Sequence, residues 1–265
     1  MRRKRTGTGQ VVKFMFVLVL LCLAITVTVG LGQTIWTRGQ ETTIVRNLPE
    51  GEETDVVQEE GEQLPEELVV LLEKNPDAEE FVLNYLKKKD QVYEIDLTEQ
   101  LNSETVPLFF QWDERWGYTT YGSNVMGLTG CGPTCLSMVL LHLLQDATYT
   151  PRYVADFAEA NGYYVDGSGS AWKLISEGGE NLGLEVTELP LDEKRMKKSL
   201  ELGELIICIM GPGEFTTTGH YIVLCGCKDG KFVVNDPNSK RNSEKLWGYD
   251  EMQGQIKNLW ACKRK

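Results

Sequence analysis

Gly130-Cys131-Gly132-Pro133-Thr134-Cys135-Leu136-Ser137-Met138-Val139-Leu140-Leu141 is the stretch on which the fold turns. Gly132 leaves the backbone open to a close approach, and Pro133 carries a φ preset for a first helical turn. Beyond it the residues are apolar nearly all round, the pattern of a helix buried on most sides. The Cys131 thiol then sits at a helix mouth, where unsatisfied N–H groups and the positive dipole end favour a thiolate. A cysteine so placed is a candidate nucleophile. The competing reading is a small buried hydrophobe that precedes a helix.

A thiol nucleophile needs an imidazole, and the chain has only 2 histidines. His142 lies eleven residues after Cys131 on the same helix, roughly 16 Å of rise away and out of hydrogen-bond reach. His220 ends a polar loop, Gly211-Pro212-Gly213-Glu214-Phe215-Thr216-Thr217-Thr218-Gly219, and opens the strand Tyr221-Ile222-Val223-Leu224. A base at a loop end entering a sheet is held by a rigid scaffold. Asp236, closing the next strand before Pro237, is the candidate to orient the imidazole.

The hairpin between them supplies a register test. A two-residue loop at Asp229-Gly230 puts Asp236 opposite Val223, on the face away from His220. A three-residue loop with Gly230 in a G1 bulge puts it opposite Ile222, on the His220 face. The site therefore requires the bulged hairpin, with Asn238 as reserve orienting group. Gln111 is the expected oxyanion donor beside the Cys131 N–H.

Around this centre the chain divides into 1–13, a basic tail with Arg2, Arg3, Lys4, Arg5 and Lys13; 14–32, an anchor; 33–63, an acidic stalk; 64–105, a helical pair; and 106–265, the main domain. Phe14 to Leu31 is free of charge and reaches the lower end of bilayer-spanning length. Basic residues on its N-terminal side keep the tail cytoplasmic and the remainder outside. Cleavage as a signal peptide would instead release a secreted form. In the helical pair, Leu64-Pro65-Glu66-Glu67 opens the first helix and Asn75-Pro76-Asp77 caps the second, an apolar stripe suited to clasp the main domain. The whole chain's net charge of −12 argues against a nucleic-acid partner. The cysteine spacings lack the zinc-knuckle pattern, so no metal or other cofactor is expected.

Within the main domain, Val106-Pro107-Leu108-Phe109-Phe110 reads as a strand, and helices are expected over Cys131 to about Gln145, Arg152–Asn161, Ala171–Asn181 and Asp192–Leu202. Strands follow at Leu184–Leu189, Leu205–Met210, Tyr221–Cys227, Lys231–Asn235 and near Leu259–Ala261. Helices first and strands later predict an α+β fold with an antiparallel sheet.

Gln111-Trp112-Asp113 with Trp116-Gly117, Thr129-Gly130-Cys131-Gly132-Pro133-Thr134-Cys135-Leu136, Gly219-His220-Tyr221-Ile222-Val223 and Asn235-Asp236-Pro237-Asn238 resemble the C39-like cysteine peptidases. That family comprises the bacteriocin-processing or double-glycine peptidases, of papain-like fold. The resemblance implies Cys131 as nucleophile, His220 as base and then acid, Asp236 as orienter and Gln111 as oxyanion donor. It is to the stand-alone, membrane-anchored bacterial type, without an ATP-binding motif or multispan region. The implied partner is a peptide or protein substrate, met by a monomer. A silent peptide-binding module, or a cell-wall peptide amidase or acyltransferase using the same cysteine, stays open as an alternative. Trp112, Trp116, Trp172 and Tyr164 are candidate cleft aromatics.

Overall fold

Leu205–Met210 is buried at every position, and its place in the fold explains why. The structure, a computed structural model, describes residues 63–265. The expected tail, anchor and, but for residue 63, stalk lie outside the described residues. Among the described residues no helix is long and apolar enough to cross a membrane.

The principal helices are α1 (Glu66–Lys74), α2 (Cys131–Leu144), α3 (Pro151–Ala160) and α4 (Glu193–Glu201). The strands of the main sheet are β1 (Leu184–Glu188), β2 (Leu205–Met210), β3 (His220–Lys228), β4 (Lys231–Asn235), β5 (Leu246–Trp247) and β6 (Ile256–Arg264). They form a six-stranded antiparallel sheet in the order β1-β6-β2-β3-β4-β5. The fold is thus α+β with an antiparallel sheet, as the helix-then-strand order predicts.

Alternation along β2 and β3 separates two apolar cores. Ile207, Ile209, Tyr221 and Val223 join Leu136, Val139, Leu140 and Leu141 of α2 on one face. Ile206, Cys208, Met210, Ile222 and Leu224 join Met196 of α4, Phe215, Phe232 and Trp247 on the other. Strands covered on both faces lose the polar half of the period-two pattern, which is why β2 reads as an unbroken apolar run. The same reasoning holds for α2, where Gly132 through Leu141 are all buried.

Two expected elements differ. Val106–Phe110 joins no ladder. Pro107 has no N–H to contribute, the Asn235 side chain donates to the Pro107 carbonyl at 3.0 Å, and Phe109 is buried in the α2 core. Its apolar residues reflect packing, not pairing. The helix expected over Ala171–Asn181 begins only at Leu174, with a π turn over Leu174–Gly178 and a short α turn over Gly179–Asn181. Gly178-Gly179 has little intrinsic helix preference, and a Cβ on Gly179 would lie 3.1 Å from Val186 of β1.

The segment before the main domain packs on it. Leu68 and Leu71 of α1, with Ala78, Phe81 and Val82, share a third apolar cluster with Tyr118. Phe81 and Tyr118 stack at 4.5 Å, and the Tyr118 hydroxyl donates to the Phe81 carbonyl at 2.9 Å. Glu114 accepts from Asn84 at 3.1 Å and from Lys88.

Candidate active site

The hairpin decides whether His220 and Asp236 share a face. Its turn is the two-residue Asp229-Gly230, with φ of 52° and 75° at the two positions, the left-handed pair of a type I′ turn. The expected three-residue G1 turn is therefore not the device used. Near the turn, Lys228 pairs with Lys231 and Gly226 with Val233; beyond a bulge at Cys225, Leu224 pairs with Val234 and Val223 with Asn235. The extra residue in β3 shifts the ladder by one. Continuing that register sets Asp236 across from Ile222, hence on the His220 side. The required register is reached through a bulge inside the strand.

The consequence is a direct contact: His220 Nε2 lies 2.7 Å from Asp236 Oδ1. Both residues are buried. The carboxylate is fully engaged. Oδ1 also accepts from the Asn238 N–H at 2.9 Å, and Oδ2 accepts from Asn242 Nδ2 at 2.8 Å. A buried charge needs such a set of partners to be tolerable. Asn238, the reserve orienter, thus acts on the carboxylate through its backbone and does not meet the imidazole in place of Asp236. Asn242 was not singled out in the sequence. The available signal was Ser239, whose side chain accepts from the Asn242 N–H at 3.2 Å and caps the short helix Lys240–Glu244.

His220 also acts on Cys131. Burial opposes the thiolate, but a hydrogen bond from His220, its positive charge, and the N–H groups of Tyr221 and Gly132 lower the Cys131 pKa below its ordinary value. Burial likewise disfavours the imidazolium, yet the Asp236 charge and hydrogen bond, with those of Cys131, push His220 up to about 10. Cys131 is partly exposed. By contrast, burial raises Cys135, Cys208, Cys225, Cys227 and Cys262. Among the described residues one thiol is set apart from the other five by its surroundings.

Gly132 is needed because a Cβ there would stand 2.5 Å from Ser170 Oγ. Ser170 is itself fixed by Tyr121, oxygen to oxygen at 2.7 Å, and its carbonyl accepts from the Tyr221 hydroxyl at 3.2 Å. Gln111 is buried, and its N–H donates to the Pro237 carbonyl at 2.8 Å, which ties it to the turn after Asp236. Its Nε2 donates to the Gly127 carbonyl at 2.9 Å. An amide nitrogen carries a second N–H.

Of the aromatic candidates, Trp116 is buried with its indole N–H on the Phe110 carbonyl. Trp112 stacks on Phe110, and Tyr164 packs edge-on to Tyr121. Trp172 is 48% exposed and meets Trp260 edge-on. Among the described residues, no group of three His, Cys, Asp or Glu side chains is placed to hold a metal ion.

The sequence pattern of the Peptidase_C39 like family matches residues 103–264. No curated protein matches the chain. Among solved structures, it is similar to the peptidase domain of Streptococcus ComA, a bi-functional ABC transporter involved in a quorum sensing pathway. That match has 19% identity and a TM-score of 0.40, covering 52% of this chain and 93% of that one. It is also similar to a double glycine motif protease from an AMS/PCAT transporter, solved with its leader peptide: 19% identity, TM-score 0.40, 62% of this chain and 97% of that one. A protein of Bacillus anthracis described as a C39-like peptidase gives 14% identity and a TM-score of 0.36, covering 64% of this chain and 98% of that one.

Proposed function

The chain belongs to the Peptidase_C39 like family, and from that premise we propose that it is a thiol-dependent peptide hydrolase working through Cys131, His220, Asp236 and Gln111. The observation that carries this reading is the relay itself. A thiol that His220 and the N–H groups of Tyr221 and Gly132 hold below its ordinary pKa shares its site with that imidazole, whose Nε2 lies 2.7 Å from a buried carboxylate. With Nε2 committed to Asp236, Nδ1 is left to serve the sulfur.

In the resting site His220 and Cys131 form an imidazolium–thiolate pair. The thiolate attacks the peptide carbonyl carbon, and the second N–H of Gln111 Nε2 together with the Cys131 N–H receives the oxyanion. His220 gives its proton to the leaving amine as the C–N bond breaks, leaving a thioester and a neutral imidazole. Water then attacks the thioester as His220 takes its proton; the acid leaves and the thiolate–imidazolium pair returns. Asp236 keeps the ring oriented and stabilises its positive form throughout.

The site of action in this reading is outside the membrane. Its support is the uncharged run Phe14 to Leu31, preceded by Arg2, Arg3, Lys4, Arg5 and Lys13. The substrate is a peptide or protein met by a monomer, without a cofactor.

The test is hydrolysis of a peptide library and of cell-wall peptides by the full chain, with Cys131→Ser as control. Cleavage by the wild type alone supports the proposal. Binding without cleavage points to a silent module. Transfer of the acyl group to an amine in place of water points to an acyltransferase, since the thioester is common to both and the pocket chooses the acceptor.

A further inference from the structure

The residues before 103 lie outside the family-matched span, yet they reach the site at two places. The first is Asn75, at the junction of α1 and the turn after it. Its Nδ2 donates to the Asn238 carbonyl and, at 3.2 Å, to Asn238 Oδ1, although the residues are 163 positions apart. Asn238 is the residue whose N–H holds Asp236 Oδ1 at 2.9 Å. Asn75 is buried, and its own Oδ1 accepts from the Asp77 N–H at 3.2 Å. Asp77 in turn accepts from the Lys240 N–H at 3.3 Å, on the helix that carries Asn242.

The second place is Phe81. Its ring is wedged between two glycines: a Cβ would lie 2.8 Å from Phe81 Cε2 at Gly117 and 2.3 Å from Phe81 Cζ at Gly127. The Gly127 carbonyl is the acceptor that fixes Gln111 Nε2.

We propose that this N-terminal clasp is a positioning element of the active site through Asn75, which holds the Asp236 turn by way of Asn238. The inference rests on the peptidase reading above and adds to it residues that touch neither substrate nor reacting atoms. Asn75 donates both its amide hydrogens to one residue, and that residue's only further task in the site is to fix a carboxylate oxygen. When Asn75 is lost, the turn keeps its covalent path but loses the tie that fixes where Asn238 N–H points. The imidazole then loses its orientation, and the thiol its proton partner.

Asn75→Asp keeps the Oδ1 cap on Asp77 and replaces the amide donor by a charged oxygen facing the Asn238 oxygens, and Asn75→Ala removes cap and donor without adding charge, so a loss shared by both variants reports the missing donor. Glu114→Gln is the control. It weakens the clasp at the Lys88 contact, away from Asp236. In the full-length protein, the rate of Cys131 alkylation by iodoacetamide is followed against pH by mass spectrometry, alongside kcat, KM and the urea midpoint. Asn75→Asp should slow alkylation at about pH 6 on the order of tenfold, the scale of one lost hydrogen bond, and lower kcat with KM unchanged. Asn75→Ala should do the same, and Glu114→Gln should shift only the urea midpoint. A wild-type alkylation profile and kcat in both Asn75 variants would overturn the proposal while leaving the peptidase reading intact. So would an equal loss in Glu114→Gln, because general loosening would then account for it. If wild-type Cys131 is alkylated no faster than Cys227, the peptidase reading falls, and this proposal with it.

Discussion

His220 Nε2 stands 2.7 Å from Asp236 Oδ1 because one residue, Cys225, bulges out of the ladder between them. Without that bulge the type I′ turn at Asp229-Gly230 would carry Asp236 to the wrong face of the hairpin. The bulge is thus a feature of the site as much as of the sheet.

Deleting Cys225 should therefore be tolerated. Leu224 pairs with Val234 and Gly226 with Val233 on either side of the extra residue, so removing it closes the ladder without changing the register beyond. The expected outcome is a folded protein that retains the His220–Asp236 contact, with a stability loss of about 1–3 kcal/mol from the deleted partly buried side chain. Urea unfolding and kcat/KM check this. A folded deletion variant without activity would show that the bulge does more than set register.

Cys131 should be the first thiol modified at mildly acidic pH. It is held below its ordinary value, while Cys135, Cys208, Cys225, Cys227 and Cys262 are all raised, and alkylation follows the thiolate. Peptide mapping after brief iodoacetamide treatment at about pH 6 measures the order. Even labelling of Cys131 and Cys227 would contradict the activated thiol.

The pH profile of kcat/KM should be a broad bell. Activity rises as pH climbs through the lowered Cys131 pKa and falls as His220 loses its proton near about 10. The stability carried by His220 has the sign of a raised group: present in full below its unfolded value of about 6.5, and lost as pH rises through the folded one. Asp236→Asn removes the charge that raises His220, so the alkaline limb should move to lower pH and kcat/KM should drop about 10²–10⁴-fold. An alkaline limb unmoved in Asp236→Asn would remove the carboxylate from the relay.

Gln111→Ala should lower kcat about 10²–10³-fold, the usual effect of losing an oxyanion donor, with Cys131 alkylation left near the wild-type rate. The split separates oxyanion stabilisation from thiol activation. If alkylation falls in step with kcat, Gln111 supports the site structurally through Gly127 and Pro237.

Gly132→Ala should destabilise the protein by about 1–3 kcal/mol, the usual cost of overpacking. Its Cβ would meet Ser170 at 2.5 Å, and Ser170 is pinned by Tyr121 and Tyr221. Pairing it with Ser170→Gly should recover much of the loss in thermal unfolding. No recovery would point to backbone strain at the helix start instead.

How much of this was legible differs residue by residue. α2 could be read from Cys131 to its end because an all-apolar helix advertises its burial in local composition. The strands β2, β3 and β4 could be read for the same reason, and their order after the helices gave the α+β class. Val106–Phe110 misled because packing against a helix and pairing in a sheet select the same apolar residues. The segment Ala171–Asn181 departs from a regular α-helix around Gly178-Gly179, whose close approach to Val186 depends on a strand that lies beyond it in the chain. The Ser239 cap marks a helix start near Asn242 but not its contact with Asp236, and Asn75 reads locally only as a cap.

By itself the sequence determined what is local or periodic: which helix is buried, which strands are central, which thiol opens a helix, and which imidazole, carboxylate and amide are chemically able to serve it. Only the tertiary structure decided which of these meet. Register, the Cys225 bulge and the reach of Asn75 across 163 positions depend on contacts between distant segments. A polar residue's energy in such a contact is set by the partner that desolvates it, and that partner is named nowhere in its own neighbourhood.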